Sequence, residues 1–537
     1  METLDGFPNA EGTKGIYSYI VNNIKENKLK RHLNIISWLL TLAVIVPALL
    51  STAACQRDSD WLKDSSAKLA FSCDTLAFDT VFTTMGTTVQ VLKVYNHYDK
   101  PLLLDHITMK NGSASRFRLN VDGDTSRIVR DVQLAAHDSL FIFVRANINP
   151  NSATEPFLIE DAILFDFNDK EQELPVTAFG RNAVYHLPDH RISAGLNANG
   201  DTVWLPYSVI SVGSWDHSRP HIIFGYAVVD EDSTLRLQAG DKLYFAHNAC
   251  LWIYDGGTLI AQGNATQPVL FTSLRHDAQY ENLPDQWLYV WLSGGSKDNV
   301  IDWAVIENAK CGLRVDTCVT TGYTLTVSNA IVRNHTIGGI VGQGSKIWGE
   351  NLLVHNCGSA TLLLQAGGDY TFVNSTFADF WNYGGSNRRT TPSIILANYH
   401  SALGNIYPRP LKASFINCLV WGNHFEEGQP EELLLNSTSD AAFDVQFDHC
   451  LLRTQHLDSL SLPTAALLIN RDPLFVNHHK GDFRLLPGSP ALGAGTNRAT
   501  QYHLTTDLLA QPRPSPPSIG CYEYQDTASV APKQFYR

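Results

Sequence analysis

VSNAIV (327–332), FVNSTF (372–377) and FINCLV (415–420) share one form: apolar, any, Asn, small or apolar, any, apolar. Three further hexads align with them: IDWAVI (301–306), GENLLV (349–354) and FDHCLL (447–452). Gly349 is the exception at the first place. The third positions are Trp303, Asn329, Asn351, Asn374, Asn417 and His449, separated by 26, 22, 23, 43 and 32 residues. Self-similarity at a period near ~22 residues is the signature of a solenoid. Short strands that follow one another without helical segments match one coil of a parallel β-helix, in which inward apolar residues stack on their counterparts one coil away. A leucine-rich repeat has a similar period, but its LxxLxL pattern is missing. The recurring Asn belongs at a tight turn, because Asn tolerates left-handed backbone geometry. Its amide can also bond to the Asn above and below, so Asn329, Asn351, Asn374 and Asn417 are expected to form a turn ladder.

Outward from this core, the chain divides into parts. Residues 234–471 read as the β-helix, expected to be right-handed. Residues 69–187 alternate strand-like runs with turn signals, as in Val89–Tyr95, Leu140–Val144 and Ala162–Phe167, which argues for an antiparallel β-sandwich. Residues 188–233 read as a linker leading into the solenoid, 472–524 as a final coil and cap, and 525–537 as a tail. The fold class expected is therefore all-β, an N-terminal β-sandwich followed by a right-handed parallel β-helix.

Composition agrees. The 537 residues are 44% hydrophobic and 17% charged, which suits a large core rather than a disordered chain. Forty Lys and Arg stand against 53 Asp and Glu, a net charge of −13, the opposite of what a nucleic-acid-coating protein carries. No Cys/His zinc spacing occurs, so no metal and no cofactor are expected. Cys357, Cys418 and Cys450 lie in apolar strand patterns and read as small buried hydrophobes. Cys311 and Cys318 have a spacing that a disulfide around a turn would fit in an oxidising compartment.

The N-terminal residues 1–54 read as an address. Lys25, Lys28, Lys30 and Arg31 precede an apolar run from Leu33 to Ala54, the layout of an export signal, with an uncleaved membrane anchor as the alternative. The run ends in Ser51-Thr52-Ala53-Ala54-Cys55, which resembles the bacterial lipoprotein lipobox. That resemblance implies lipidation at Cys55, a tether over 55–68, a membrane partner through the lipid, and a place in the cell envelope, at the outer membrane or cell surface. The stretch GTTVQVLKVYNHYDKPLLLDHI (86–107) resembles Ig-like modules of secreted bacterial proteins, in which a strand ending in Asn precedes a turn. Asp472-Pro473-Leu474-Phe475, Gly481-Asp482-Phe483, Pro487-Gly488-Ser489-Pro490 and Ile519-Gly520-Cys521-Tyr522-Glu523 resemble, in that order, the choice-of-anchor Q-like end of secreted β-helix proteins. The whole arrangement is similar to surface lipoproteins of Bacteroidetes.

Candidate chemistry lies in the insertions that lengthen two of the intervals, because solenoid loops often share a binding face. Trp381, Tyr383, Arg388 and Arg389 form an aromatic and Arg cluster suited to stacking on sugars and donating to acidic groups. The expected function is therefore non-catalytic binding of a glycan or another surface polymer. A polysaccharide lyase or glycosidase on the β-helix, and an envelope component with a protein partner, are the alternatives. Asp298, Asp302, Asp316, Asp369 and Asp379 do not recur at one coil position and read as turn or surface residues. Glu426, Glu427, Glu431 and Glu432 read as a solvated acidic loop.

Overall fold

The computed structural model describes residues 61–83, 89–149, 157–197, 199–275, 280–317, 321–381, 389–402, 404–426, 428–455, 466–497 and 504–524. Cys55 and its flanks, Tyr383, Arg388 and Cys318 lie outside them. No α-helix occurs among the described residues. The chain forms two compact units.

The smaller unit includes Thr88–Ala146 and Glu160–Thr177. One sheet runs antiparallel in the order Ala70–Phe71, Gln90–Tyr95, Ser139–Ala146, Phe117–Val121. The other contains Leu102–Met109 between Ile128–Leu134 and Phe157–Phe167. Leu92, Val94, Leu104, Ile107, Phe117, Ile142 and Phe165 are fully buried, as alternation along half-buried strands requires. Asn96, which ends the strand quoted above, is buried and donates its amide to the carbonyls of Lys100, Leu134 and Ala135. Its Oδ1 accepts from the Tyr98 N–H, so one side chain satisfies four backbone groups at the turn.

The larger unit is a parallel β-helix of three sheets. Sheet I begins with Thr234–Leu237, sheet II passes through Lys242–Phe245, and sheet III through Cys250–Ile253; the chain then returns to sheet I at Thr258–Gln262. Among the described residues the sheets hold eight, eleven and ten strands. The six hexads stack in register: Ile301, Val327, Gly349, Phe372, Phe415 and Phe447 are successive partners in sheet I. Gly349 fits because the Phe372 ring fills its place; a Cβ there would lie 2.5 Å from a ring carbon. The Phe372, Phe415 and Phe447 rings stack at 5.5 and 4.8 Å, forming the inside of the tube.

The third residues all have left-handed backbones, with φ of 51° at Trp303, 48° at Asn329, 50° at Asn351, 45° at Asn374, 53° at Asn417 and 50° at His449. The amide column is paired rather than continuous. Asn351 Nδ2 donates to Asn329 Oδ1 at 3.0 Å, and Asn417 Nδ2 to Asn374 Oδ1 at 3.2 Å. Between the pairs the amides turn to the C-terminal segment: Asn351 Nδ2 reaches Thr506 O at 2.9 Å and Asn374 Nδ2 reaches Ser518 O at 3.2 Å. A second column, not anticipated, runs through Asn308, Asn334 and Asn356, with side-chain bonds of 3.2 and 2.6 Å.

Both solenoid boundaries differ from the expectation. The stack starts near Val184, since Val184–His186 pairs parallel with His221–Ile223, and Tyr226–Val229 is already a rung of sheet III. The hairpin of His190–Leu196 and Thr202–Val209 forms the edge of that sheet, and none of the six hexads covers this first turn. At the other end, 472–524 does not lie as a cap on the last coil. It runs back along the flank: Phe483, Leu508 and Tyr522 pack on Val305, Ile331 and Leu353, and Leu485 and Ile519 on Leu419 and Leu451. The reason is that sheet II is apolar on its outer face as well, and that surface must leave water.

Asn351 carries two functions, turn geometry and attachment of the C-terminal segment, the latter also through Arg513 Nη2, which donates to its Oδ1 at 2.6 Å. Asn351→Ala is expected to lower solenoid stability by about 2 to 4 kcal/mol through lost hydrogen bonds and left-handed strain. Asn351→Gly restores only the backbone part. Urea unfolding of both variants checks this; equal midpoints for Ala and Gly would remove the strain argument.

Candidate functional site

The turns from sheet II to sheet III carry two insertions in consecutive coils, after Thr376–Asp379 and after Leu419–Gly422. Asp379 occupies the position that Asn356 holds one coil earlier in the second amide column, one residue beyond the Ala378–His355 pair. Its Oδ1 accepts the Cys357 N–H at 3.0 Å and the Trp381 N–H at 3.3 Å. Arg389 returns from the first insertion and places Nε 3.3 Å from Asp379 Oδ2. That contact is ionic rather than a hydrogen bond, since neither atom finds an aligned partner. The guanidinium instead forms a fork on Glu432 from the second insertion, at 3.0 and 2.9 Å. Glu432 also accepts from Ser393 N, Ser393 Oγ and His424 N at 2.9, 2.6 and 2.8 Å. The side chains of Arg389, Asp379 and Glu432 have 0% exposure.

Two fully buried carboxylates face one guanidinium, an imbalance that favours retention of a proton by the cluster. Burial pushes Asp379 up to about 7, against the pull of Arg389. Gly422 makes room for the arrangement: a Cβ there would lie 2.3 Å from Glu432 Oε1 and 2.7 Å from Arg389 Nη1.

These facts redistribute the candidate residues. Arg389 is sealed inside with both Nη groups on partners, so a glycan has no route to it. Trp381 is 9% exposed and belongs to the same packed corner. Asp379, read as a turn or surface residue, is the most deeply buried of the five candidate Asp residues. Glu431 and Glu432, read as solvated, are buried; Glu431 accepts from Leu433 N, Thr454 Oγ1 and Gln455 N. Asp379, Glu431 and Glu432 lie inward because each supplies acceptors for backbone donors that the irregular turns leave without ladder partners. Among the described residues no group of three or more His, Cys, Asp or Glu is arranged to hold a metal ion.

What the corner presents outward was not anticipated. Arg453 follows Leu451–Leu452 and lies one rung below Trp421, next to the Val420–Leu452 pair. Its guanidinium lies 5.0 Å from the Trp421 ring and 5.0 Å from the Phe425 ring, and Nη1 donates to Gly422 O. Phe425, on the second insertion, is 47% exposed. The signal was present as an aromatic residue beside each insertion and an Arg in register with it, but only the alignment of sheet II reveals the register.

A second aromatic series lies on sheet III. Trp252 and Trp291 stack at 4.8 Å, and Arg314 lies 4.8 Å from the Trp291 ring. Arg314 is paired with Asp316, which also accepts from Trp291 Nε1 at 2.7 Å. Here the ring faces and the charge are used within the series, so it stabilises the rungs and offers little to a ligand.

No family model and no curated protein matches this chain. Among solved structures, it is similar to the catalytic unit of a GH87 alpha-1,3-glucanase from Streptomyces thermodiastaticus, at 10% identity over 67% of this chain and 79% of that one, with a TM-score of 0.22. A family 123 glycoside hydrolase from Clostridium perfringens is 8% identical over 22% of this chain, with a TM-score of 0.17, and this chain spans 28% of its length. The VesB protease of Vibrio cholerae is 12% identical over 22% of this chain and 34% of its own, with a TM-score of 0.16.

Removing Arg389 strands two buried carboxylates. Arg389→Met is expected to cost about 3 to 5 kcal/mol at pH 8, and less at pH 5.5, where Asp379 is neutral. In the wild type, Asp379 rises on folding from an ordinary value of 3.8 to about 7. Its stabilising share is therefore full below pH 3.8 and is lost as pH rises toward 7. Asp379→Asn should flatten that decline in thermal melts between pH 4 and 7; an unchanged slope would show that Asp379 does not retain its proton.

Proposed function

We propose that this chain is a non-catalytic, lipid-anchored cell-envelope protein whose β-helix binds a glycan or another surface polymer. The observation that carries the binding half is the outer corner of sheets II and III, where Trp421 and Phe425 flank Arg453. Flat apolar rings pack on the apolar faces of sugars, while a guanidinium donates to their oxygens. The base of the corner is tied to the core through the contacts of Arg389 and Glu432, which limits the ordering that accompanies binding. Non-catalytic action is supported by the state of the carboxylates. Glycoside hydrolysis requires a pair of carboxyl groups that reach the scissile bond. Asp379 and Glu432, the pair at this corner, are sealed and committed to Arg389.

The envelope half rests on the sequence: the basic and apolar segments before Cys55, and the resemblance to Bacteroidetes surface lipoproteins, whose place at the outer membrane or cell surface it implies.

Isothermal titration against a panel of neutral and acidic polysaccharides should find ligands whose affinity drops at least tenfold in Trp421→Ala and in Phe425→Ala, with circular dichroism unchanged. Undiminished affinity in both variants would remove this corner from the function. For the anchor, wild-type cells fed a labelled fatty acid should yield labelled protein in the membrane fraction, and Cys55→Ala should lose the label. A wild-type protein that takes up no label defeats the lipidation reading.

A further inference from the structure

We propose that Arg453 is the carboxylate-binding position of an acidic-sugar subsite, so that the polymer bound at this corner is a uronic-acid glycan; this rests on the glycan-binding reading above and specifies its ligand.

The guanidinium of Arg453 differs from several others in the solenoid. Arg314, Arg333, Arg389, Arg484 and Arg513 are each within ion-pair distance of a carboxylate. Arg453 has none among the described residues. Its Nη1 is used on Gly422 O, and the Trp421 and Phe425 rings each lie 5.0 Å from it. Among the described residues Nε and Nη2 donate to nothing, and neither is among the buried polar atoms that lack a partner. Each therefore keeps some contact with solvent. A half-buried guanidinium with a fork of free donors matches the two oxygens of a carboxylate, and charge-assisted bonds of this kind are about twice as strong as neutral ones. The bond from Nη1 to Gly422 O ties one end of the guanidinium to the sheet beforehand.

The charges behind Arg453 permit this. Burial lowers its affinity for a proton, Glu432 and Asp472 act in the opposite sense, and Arg389 adds to the lowering. Glu432 is already neutralised by Arg389 and by three further donors. Asp472, the other carboxylate that acts on it, lies outside ion-pair distance. The exposed Phe425 ring beside the fork favours a sugar over an acidic peptide, because a pyranose offers an apolar face next to its carboxylate and an aspartate or glutamate side chain does not.

The test uses the full chain and three uronate polymers, polygalacturonate, alginate and hyaluronan, each paired with its carboxyl-reduced neutral form. Isothermal titration should show at least one acidic polymer bound tenfold or more tightly than its reduced counterpart, with affinity falling as salt rises. Arg453→Gln should abolish that preference and leave the reduced form within twofold of wild type. Arg453→Lys, which keeps the charge and loses the fork, should retain only part of it, and thermal melts of both variants report their folding. Binding of reduced and acidic forms with equal affinity would overturn the inference and leave glycan binding standing. Failure of every glycan would overturn the underlying reading instead. Equal affinity for poly-glutamate would reassign the site to acidic polypeptides and overturn the sugar assignment.

Discussion

The architecture depends on one backbone position per coil. Between sheet I and sheet II the chain turns at a single residue in the left-handed region, from Trp303 through His449. For a residue with a Cβ that conformation costs roughly 1 to 2 kcal/mol, and Asn lowers the cost through local hydrogen bonding. Because the six coils from Trp303 to His449 each use the same single residue there, the residues on either side arrive in phase. Ile301, Val327, Phe372, Phe415 and Phe447 point inward from sheet I, and Ile306, Val332, Val354, Phe377, Val420 and Leu452 from sheet II. A turn one residue longer in one coil would exchange the inner and outer faces of the next strand.

The same register decides what happens outside the tube. Alternation places Val305, Ile331, Leu353, Leu419 and Leu451 on the outer face of sheet II, where they form an apolar stripe across several coils. The C-terminal segment covers that stripe. Its attachment uses the amide column already required by the turns: Thr496, Thr506 and Ser518 each offer a carbonyl to an Asn of that column. Cys521 N–H is bonded to Thr376 Oγ1 and Gly520 N–H to Asn417 O, which extends the contact along the same flank. One set of Asn residues thus serves both winding and closure of the flank.

The sequence was informative where structure repeats and silent where it does not. The six hexads and the left-handed Asn turns were legible because each rung places the same demand on the same position. The second column was legible in principle: Asn308, Asn334, Asn356 and Asp379 each follow their first-column residue by five positions. It was missed because it holds its amide for only three coils. The flank position of 472–524 was not legible, since its motifs describe turns and apolar residues and do not say which surface they meet. Arg389 and Glu432 misled for a related reason. Charged residues in a Gly-rich insertion normally face water, and only the identity of the residue opposite them, Gly422, indicates that there is space inside.

That substitution series in the second column explains why the corner exists where it does. Through three coils Asn308, Asn334 and Asn356 adopt left-handed geometry and bond side chain to side chain. At the fourth coil Asp379 cannot donate an amide, and at the fifth Gly422 has no side chain; neither has a positive φ. The ladder therefore ends, and the short turn it enforced is no longer required. The chain leaves the tube in both coils, and the space below Asp379 is filled by Arg389 from one excursion and Glu432 from the other. The ion cluster replaces the amide ladder as the element that fixes turn to turn. It does so at the price of a buried charge imbalance that Asp379 relieves by keeping its proton. Because Glu432 fixes the root of the second excursion, Phe425 projects from a defined base, and Arg453 meets it from the rung below. A loss of regularity in one column of the solenoid thereby becomes a rigid aromatic and cationic corner on its surface.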